Sequence, residues 1–403
     1  MKLRTITTFL NPSWPLDTNL LSRAGKFRAD AENAFTQAGY EVQTTRLATI
    51  PFPQLLSTPD LPEALTFAQT LENATRAQGF GYLSIGAVSP DHLPYFSLLP
   101  HIFQATDNVS ASGVIADANG LSLPAIRAAA EVIHVCVAHD PNGFGNFFFT
   151  ASANVPPGGP FFPSGYHGGG GPAFALGTEA ADLAVTAFSG ARTLAEARQN
   201  LIEAMEAHAR KLVEVAEKLS AAHGFRFGGI DFTLAPFPEE ALSIGTALER
   251  LGLPGLGLHG STAAAAFLVD TLERAQFPRA GFNGLMLPVL EDATLAARAA
   301  DGRLTVTDLL LMSTVCGTGL DTVPLPGDIT PEQIAAILLD VGALSLRLRK
   351  PLTARLVPIP GKKAGDAIAF DFPYFADSRV MGVRAGRLSG LFAGDEVLPL
   401  KAR

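Results

Sequence analysis

The feature that most constrains the fold of this chain is a repeated alternation between strand-like runs and helical patterns. The strand-like runs are rich in β-branched and aromatic residues and end in turn residues, which is typical of buried strands. The eight clearest runs are 2–10, 41–50, 81–88, 108–116, 146–155, 226–235, 282–289 and 352–359. Most of them are followed by a helical pattern, and this order predicts a mainly parallel sheet covered by helices.

The clearest helical pattern covers 193–224. Thr193 and Glu196 have the spacing of a capping box, apolar residues recur at intervals of three and four, and Gly224 is a stop signal. Further helices are predicted within 122–140, 239–252 and 330–350. Parallel strands joined by right-handed crossovers form either an open doubly wound sheet or a closed α/β barrel, and the pattern by itself allows both.

The chain is long and apolar enough to bury a large core, with 403 residues of which 47% are hydrophobic and 17% charged. This length allows one large domain or two ordinary ones. Because no low-complexity linker interrupts the alternation, we predict a single domain over 1–403. Apolar runs stop short of the roughly 18 residues of a membrane helix. The opening 1–14 lacks the pattern of a secretory leader, so we expect a cytoplasmic protein without membrane contact.

Charge limits the classes of partner. The formal net charge is −8, and no run of Lys and Arg is interleaved with aromatic residues, so a nucleic-acid partner is not predicted. The expected partners are a small-molecule ligand and further copies of the chain. A large apolar α/β protein with few surface charges favours a homo-oligomer, a dimer or larger.

The two cysteines lie 180 positions apart and build no disulfide framework. Cys136 belongs to the pattern H-x-C-x-x-H, formed by His134, Cys136 and His139. On a helix, positions 134 and 136 point about 200° apart, which excludes a shared metal ion. We therefore predict Cys136 to be a core residue, and no other Cys/His spacing resembles a zinc site.

Cys316 lies in the unusual stretch 315–328, VCGTGLDTVPLPGD. Its glycines permit positive φ and close backbone approach, and its prolines restrict the chain, so we predict a stiff loop after a helix. A thiol in such a loop can act as a nucleophile when a neighbouring cation or helix end lowers its pKa. The alternative is a buried thiol that packs as a small hydrophobic group.

Four carboxylates form a second candidate constellation. Asp231 is near the end of a predicted strand, Glu291 and Asp292 follow another, and Asp321 lies beside Cys316 in sequence. The carboxyl ends of strands are where α/β proteins bind ligands, which suits these groups for acid/base work or for Mg²⁺ or Ca²⁺. The alternative for Asp292 is the N-cap of the helix that follows it.

Basic and aromatic candidates are sparse. Arg355 is inside an apolar strand, where it needs an anionic partner from the protein or from a ligand, and Lys363 is in a turn. Tyr166 and His167 follow a rigid aromatic stretch and precede the glycines of 168–171, which form either a mobile lid or a plain surface loop. His167 is the histidine best suited to act as a base.

Three long segments, 146–167, 229–252 and 281–366, resemble the uncharacterised family of bacteria and archaea known as domain of unknown function 711. The first 140 residues share only the opening LRTIT with it. Members of that family are similar in fold to glycyl radical enzymes such as pyruvate formate-lyase. The resemblance implies a ten-stranded α/β barrel that receives a loop bearing Cys316. The short motif RVMG at 379–382 resembles a radical-bearing loop, but Val383 stands where an aromatic residue is expected, so no radical chemistry is inferred.

These observations predict an enzyme that acts on a small polar metabolite inside a barrel, or alternatively a barrel that binds a metabolite without turning it over. The predicted catalytic residues are Cys316, Asp231 and His167. The predicted substrate-binding residues are Tyr166, Asp321, Glu291, Asp292, Arg355 and Lys363. No cofactor is assigned, and no metal ligands are named.

Overall fold

A computed structural model describes residues 1–403. The strands are β1 (Lys2–Leu10), β2 (Thr45–Thr49), β3 (Tyr82–Val88), β4 (Val109–Asp117), β5 (Gly120–Ser122), β6 (Phe149–Ala153), β7 (Ala173–Glu179), β8 (Arg226–Ala235), β9 (Gly319–Pro326), β10 (Leu352–Ile359), β11 (Ala367–Ile368), β12 (Ser378–Arg379) and β13 (Val397–Leu398). The α-helices are α1 (Thr18–Gln37), α2 (Leu61–Ala77), α3 (Leu99–Ala105), α4 (Leu123–Cys136), α5 (Ala181–Ser189), α6 (Leu194–His223), α7 (Ile244–Arg250), α8 (Ser261–Arg274), α9 (Ala293–Ala300), α10 (Val306–Ser313) and α11 (Pro331–Leu348).

Eleven of the strands form one mixed sheet, whose main path is β8-β7-β1-β2-β3-β4-β6-β10-β9. The central strands β1, β2, β3, β4 and β6 are parallel to one another. The pairs β7–β8 and β9–β10 are each parallel, but β7 is antiparallel to β1 and β10 is antiparallel to β6. The predicted α/β class with a mainly parallel sheet is confirmed, and two pairs of strands run against its centre.

A segment between α8 and α9 contacts both edge strands of this path. Arg279 forms an isolated parallel bridge with Ile230 of β8, and Pro288 forms one with Asp321 of β9. The predicted strand 282–289 is otherwise wrong, because this segment has no continuous ladder. Gly281 and Asn283 have positive φ, and Pro288 has no N–H to donate, so the backbone cannot stay extended and paired.

The predicted bounds of several strands and of one helix are confirmed. The strands at 2–10, 226–235 and 352–359 have the predicted bounds. Helix α6 begins after Thr193, whose hydroxyl accepts a hydrogen bond from the amide of Glu196 at 3.1 Å, and it ends at Gly224 with φ of 70°. This agreement is expected because capping depends only on neighbours within one turn.

The prediction of a loop over 315–328 is wrong for most of its length. Residues 319–326 are the buried strand β9, which pairs with β10 along one edge. The other edge of β9 has one isolated bridge, at Asp321, so Pro324 and Pro326 remove no ladder hydrogen bond there. The turn before β9 keeps Cys316, which is the part of the prediction that holds.

One cluster of 94 buried residues, from Leu3 to Met381, packs the helices against the sheet. Cys136 belongs to it with no exposed surface, which confirms its predicted place in the core, and burial raises the pKa of its thiol to about 12. None of the helices combines the length and the apolar character that crossing a membrane requires.

Candidate active site

A small cavity lies where the first residues of β1 and β2 approach the last residues of β7 and β8. The antiparallel register of β1 and β7, which pairs Lys2 with Glu179, brings the two ends together. The cavity volume is about 70 Å³, enough for several waters or a small organic ion. The lining residues are Arg4, Thr5, Arg46, Phe147, Pro160, Phe161, Phe162, Gly177, Thr178, Asp231, Thr233, Ala235, Met286, Glu291 and Arg355.

A chain of alternating charges runs along this cavity. Arg4 donates to Glu179 at 3.0 Å and to Glu291 through its other terminal nitrogen. Arg355 donates to the second oxygen of Glu291 at 2.7 Å and to Asp321 at 2.6 Å. Because each guanidinium binds two carboxylates of the protein, this network fixes the positions of both groups.

Asp321 ends this chain of charges. Its side chain is fully buried, and its Oδ2 atom has no hydrogen-bond partner. Burial raises the pKa of Asp321 to about 6, although the charge of Arg355 opposes the rise. The guanidinium of Arg355 lies over the ring of Phe147, 5.1 Å from its centroid, which further restricts its orientation.

Arg46 is the third arginine of the cavity, and it differs from the other two. Its Nε donates to Thr44 Oγ1 at 3.1 Å, and no carboxylate lies within 4.0 Å of its guanidinium. It lies over the rings of Phe162 and Tyr82, at 5.1 Å and 5.7 Å from their centroids. Burial, followed by the charge of Arg4, lowers the pKa of Arg46 to about 9.

Asp231, on β8, is a buried carboxylate in the cavity wall that no arginine binds. Its Oδ2 accepts from the amide of Phe282 at 3.0 Å, and its Oδ1 accepts from the amide of Asn283 at 3.0 Å and from the Thr233 hydroxyl. Burial raises the pKa of Asp231 above its ordinary value, and these hydrogen bonds oppose the rise. A carboxyl of this kind keeps its proton to a higher pH than an exposed carboxyl does.

All nine strands on the main path of the sheet fall within one family match. Residues 1–374 match the family described as "Uncharacterised ACR (DUF711)". The chain belongs to this family. The match includes the first 140 residues, which resembled the DUF711 family only in their opening five residues.

Relatives of this DUF711 protein occur in archaea and bacteria. A UPF0210 protein of Pyrobaculum arsenaticum is 31% identical over 360 residues, which cover 85% of this chain and 79% of the relative. A UPF0210 protein of Pyrobaculum aerophilum is 32% identical over 358 residues, with the same coverage of 85% and 79%. A UPF0210 protein of Acetivibrio thermocellus is 29% identical over 372 residues, covering 88% and 81%. These names state no reaction, so function has to be argued from the site.

Four of the predicted site residues meet in this region of the DUF711 protein. Asp231, Glu291 and Arg355 line the cavity, and Asp321 binds Arg355 directly behind it. They come from β8, β9, β10 and the turn before α9. Asp231 and Glu291 were predicted from their places near strand ends. Asp321 was predicted from its place near Cys316, and Arg355 because it is an arginine inside an apolar strand.

Cys316 is not among the residues that line the cavity. It lies in the turn after α10, where its amide donates to the Met312 carbonyl at 2.9 Å. Its side chain is 1% exposed and belongs to the main apolar cluster. The neighbouring Gly317 lies against the backbone of Gly284, a close approach that a side chain would prevent.

His167 and Tyr166 are not among the residues that line the cavity. The His167 amide donates to the Thr49 carbonyl at 2.9 Å, and its ring lies 6.4 Å from that of Phe9. Its Nε2 has no partner, and burial lowers its pKa. The Tyr166 hydroxyl donates to the Val155 carbonyl at 3.1 Å. His167 therefore lies at the far ends of β1 and β2, away from Arg4 and Arg46.

The last two predicted residues have other surroundings. Asp292 is the N-cap of α9, accepting from the amides of Thr294 and Leu295, and it also accepts from Ser243 at 2.6 Å. The capping alternative for Asp292 is thereby confirmed. Lys363 is exposed in the turn after β10, where its amide donates to Asp366 at 2.7 Å.

The carboxylates are not arranged to surround a metal ion. No group of three or more His, Cys, Asp or Glu side chains could hold one. Except for Oδ2 of Asp321, the oxygens of the four predicted carboxylates accept from arginines, amides and hydroxyls. The carboxylates of this site therefore bind groups of the protein and not a metal ion.

Arg46, Glu179 and the threonines of the cavity were missed in the sequence. Arg46 follows three residues of strand-forming character in QTTRLATI, and it is an arginine inside a strand in the same way as Arg355. The rule that an arginine inside a strand needs an anionic partner would therefore have identified Arg46 as a candidate. Glu179 gives no such signal, because β7 itself was not predicted.

Proposed function

We propose that this protein is an enzyme that acts on a small polar metabolite in the cavity, with Asp231 as its general acid or base. The observation that carries the proposal is a buried carboxyl without a cationic partner in the wall of a cavity that three arginines also line. Structural carboxylates inside proteins are ordinarily paired, as Glu291 is here. A titratable group with a raised pKa beside a cavity is typical of an active site.

The hydrogen bonds of Asp231 suit proton transfer. The amides of Phe282 and Asn283 hold the carboxylate in one orientation, so it reaches a bound molecule without reorganisation. The protonated form is favoured by burial and the ionised form by these amides. A group balanced in this way exchanges a proton with a substrate at lower cost than an exposed aspartate does.

The remaining polar residues of the cavity serve to bind the substrate. Thr5 and Thr178 offer hydroxyl groups, and Arg4 and Arg355 offer positive charge that their carboxylate partners hold in place. Rigid support of this kind keeps contact atoms within the tolerance that binding or catalysis needs. We assign Glu179, Glu291 and Asp321 to positioning these arginines.

The segment 278–290 supports the proposal that the sheet closes into a ten-stranded barrel, similar to that of glycyl radical enzymes. Its amides at Ala280 and Val289 donate to Ile230 of β8 and to Asp321 of β9, each at 3.1 Å. Both bridges are parallel. With the nine strands of the main path, this segment would be the tenth, and it would turn the cavity into the interior of a barrel.

The experiment is an activity screen with Asp231→Asn. The wild-type protein is incubated with a panel of hydroxy, oxo and amino acids, sugars and phosphate monoesters, and consumption is followed by mass spectrometry. We expect at least one compound to be converted, and the variant to convert it 10²- to 10⁴-fold more slowly, because general acid or base catalysis contributes about this much. Asn keeps the shape, but its single carbonyl oxygen accepts from only one of the two amides, so the folding of the variant is checked by circular dichroism.

Cys316→Ser is measured beside it, because the predicted nucleophile stays a prediction. Since the thiol is buried outside the cavity lining, we expect this variant to retain activity within about tenfold of the wild type. A loss of several orders of magnitude with the fold intact would transfer the catalytic role to Cys316. Binding of a panel compound without any conversion would favour the alternative function, a metabolite-binding protein that is not an enzyme.

A further inference from the structure

The unpaired guanidinium of Arg46 carries an inference about the substrate that rests on the proposed function of this cavity. Arg4 and Arg355 each bind two carboxylates of the protein. Arg46 binds none, and its one hydrogen bond, to Thr44, uses Nε. Its two terminal nitrogens, which carry four N–H donors, have no protein acceptor.

The surroundings of Arg46 hold this group in place for a ligand. Phe162 and Tyr82 lie against it, with ring centroids 5.2 Å apart, and Phe147 lies 5.5 Å from Phe162. These rings restrict the guanidinium and exclude water from the side of it that they cover. A planar fork of donors held against aromatic rings matches a carboxylate, which accepts two parallel hydrogen bonds.

An unpaired cation in this position is costly without a ligand. Burial and the nearby charge of Arg4 both disfavour its charged form. A bound anion would supply Arg46 with the negative charge that carboxylates of the protein supply to Arg4 and Arg355. The free energy lost in leaving this cation unpaired would then be recovered on binding.

The charge and size of the cavity restrict the anion further. Glu179 and Glu291 lie beside Arg4 on the same side of the cavity and would repel a dianion. A volume of about 70 Å³ admits a molecule of a few heavy atoms. A phosphate dianion needs more donors and tolerates nearby carboxylates less well than a carboxylate does.

We propose that Arg46 binds the carboxylate of the substrate, and that the substrate is a small monocarboxylic acid with a hydroxyl or oxo group. The carboxylate lies on the Nη atoms of Arg46, and the remainder extends toward Asp231 and Thr233, which line the same cavity. Asp231 then has a hydroxyl proton or an acidic C–H within its reach. The arginine is a binding residue that selects the class of substrate.

The test compares carboxylates with their amides by calorimetry at constant ionic strength. The probes are glycolate, lactate and pyruvate, the corresponding amides, and inorganic phosphate. We expect at least one carboxylate to bind at least tenfold more tightly than its amide, and Arg46→Gln to remove this preference, because a charge-assisted bidentate pair is worth one to two factors of ten. Arg46→Lys keeps the charge without the fork and retains part of the affinity.

Arg198→Gln is the matched control. Arg198 also lies over an aromatic ring, that of Phe267 at 4.9 Å, but it pairs with Asp270 outside the cavity. This variant binds the carboxylate as the wild type does. Without ligand, we expect Arg46→Gln to unfold at the wild-type temperature or higher, because the substitution removes an unpaired cation. If Arg46 instead stabilised the fold, its replacement would lower the unfolding temperature.

The inference is overturned if carboxylate and amide bind equally, if no carboxylate binds, if phosphate binds in preference, or if Arg46→Gln binds like the wild type. Asp231→Asn separates this inference from the proposed function. If carboxylate binding needs Arg46 but the wild type turns nothing over, the result supports the carboxylate subsite and contradicts the proposal that the protein is an enzyme. If the protein turns over a compound that has no carboxylate, the result supports the enzyme and contradicts the carboxylate subsite.

Discussion

At the scale of single residues, this protein buries acids in two different ways. Glu291 and Asp321 are bound by arginines, whereas Asp231 and Asp292 are bound by amides and hydroxyls. Burial raises the pKa of Asp231, Asp292 and Asp321, because hydrogen bonds and nearby cations do not fully replace lost hydration. These residues therefore make folding stability depend on pH.

Asp321→Asn tests this dependence. The folded pKa of about 6 is above the ordinary value of 3.8, so the folded state holds the proton more tightly than the unfolded state. Below pH 3.8 the contribution of Asp321 is fully present, and it is lost as pH rises to about 6. Asparagine does not titrate. We expect the variant to gain stability relative to the wild type as pH rises from about 4 to about 6.

The measurement is urea unfolding of both proteins at several pH values across this range. Asp328→Asn, at an exposed position shortly after the same strand, is the matched control and should show no such trend. The groups that face Asp321 are Arg355, Glu291 and Arg4, and they are unchanged in both proteins. A constant difference in stability across the range would contradict the assignment.

At the scale of elements, β9 depends on one glycine where it begins. Gly319 has φ of 93°, and a Cβ there would overlap the backbone of Thr353 on β10. The bond from the Thr353 amide to the Thr318 carbonyl, at 2.8 Å, holds the two strands at this close approach. This geometry explains why β9 begins at a glycine.

We expect Gly319→Ala to destabilise the protein by about 3 kcal/mol or more, because strain at positive φ and overlap with the backbone act together. Urea unfolding at neutral pH measures this change. Gly171→Ala is the matched control, since its backbone is not in the left-handed region and open space surrounds it. Equal stabilities of the two variants would mean that β9 tolerates a side chain at this position.

At the scale of the whole molecule, hydrogen exchange tests whether the segment 278–290 closes the sheet into a barrel. The amides of Ala280 and Val289 donate to β8 and β9. If the segment 278–290 closes a barrel, we expect these two amides to exchange as slowly as amides inside β8 and β9. The amide of Gly169, in the exposed glycine stretch, is the fast-exchanging reference. Fast exchange at both positions would mean that the sheet is open there.

The predicted self-association also belongs to this scale. Leu391 is 91% exposed and Phe392 is 49% exposed, so the C-terminal part of the chain presents apolar surface. We expect a dimer or larger in sedimentation velocity at micromolar concentration. A single species at the chain mass of 42.3 kDa would contradict this expectation.

The sequence by itself determined the local elements and the residue types of the site. The bounds of β1, β8, β10 and α6 follow from alternation and capping, which depend on residues within a few positions of one another. Asp231 and Glu291 were selected for their places near the ends of predicted strands. Asp321 was selected for its place near Cys316, and Arg355 because it is an arginine inside an apolar strand.

Only the tertiary structure decided which of these groups meet. Arg4 binds Glu179 because β7 runs antiparallel to β1, and no pattern within either strand states that direction. Tertiary pairing with β10 made a strand of the stretch after Cys316, and packing placed the thiol in the core. Arg46 was left without a carboxylate by the same arrangement of strands. Pairing between distant segments depends on the whole set of packed contacts, which local patterns do not encode.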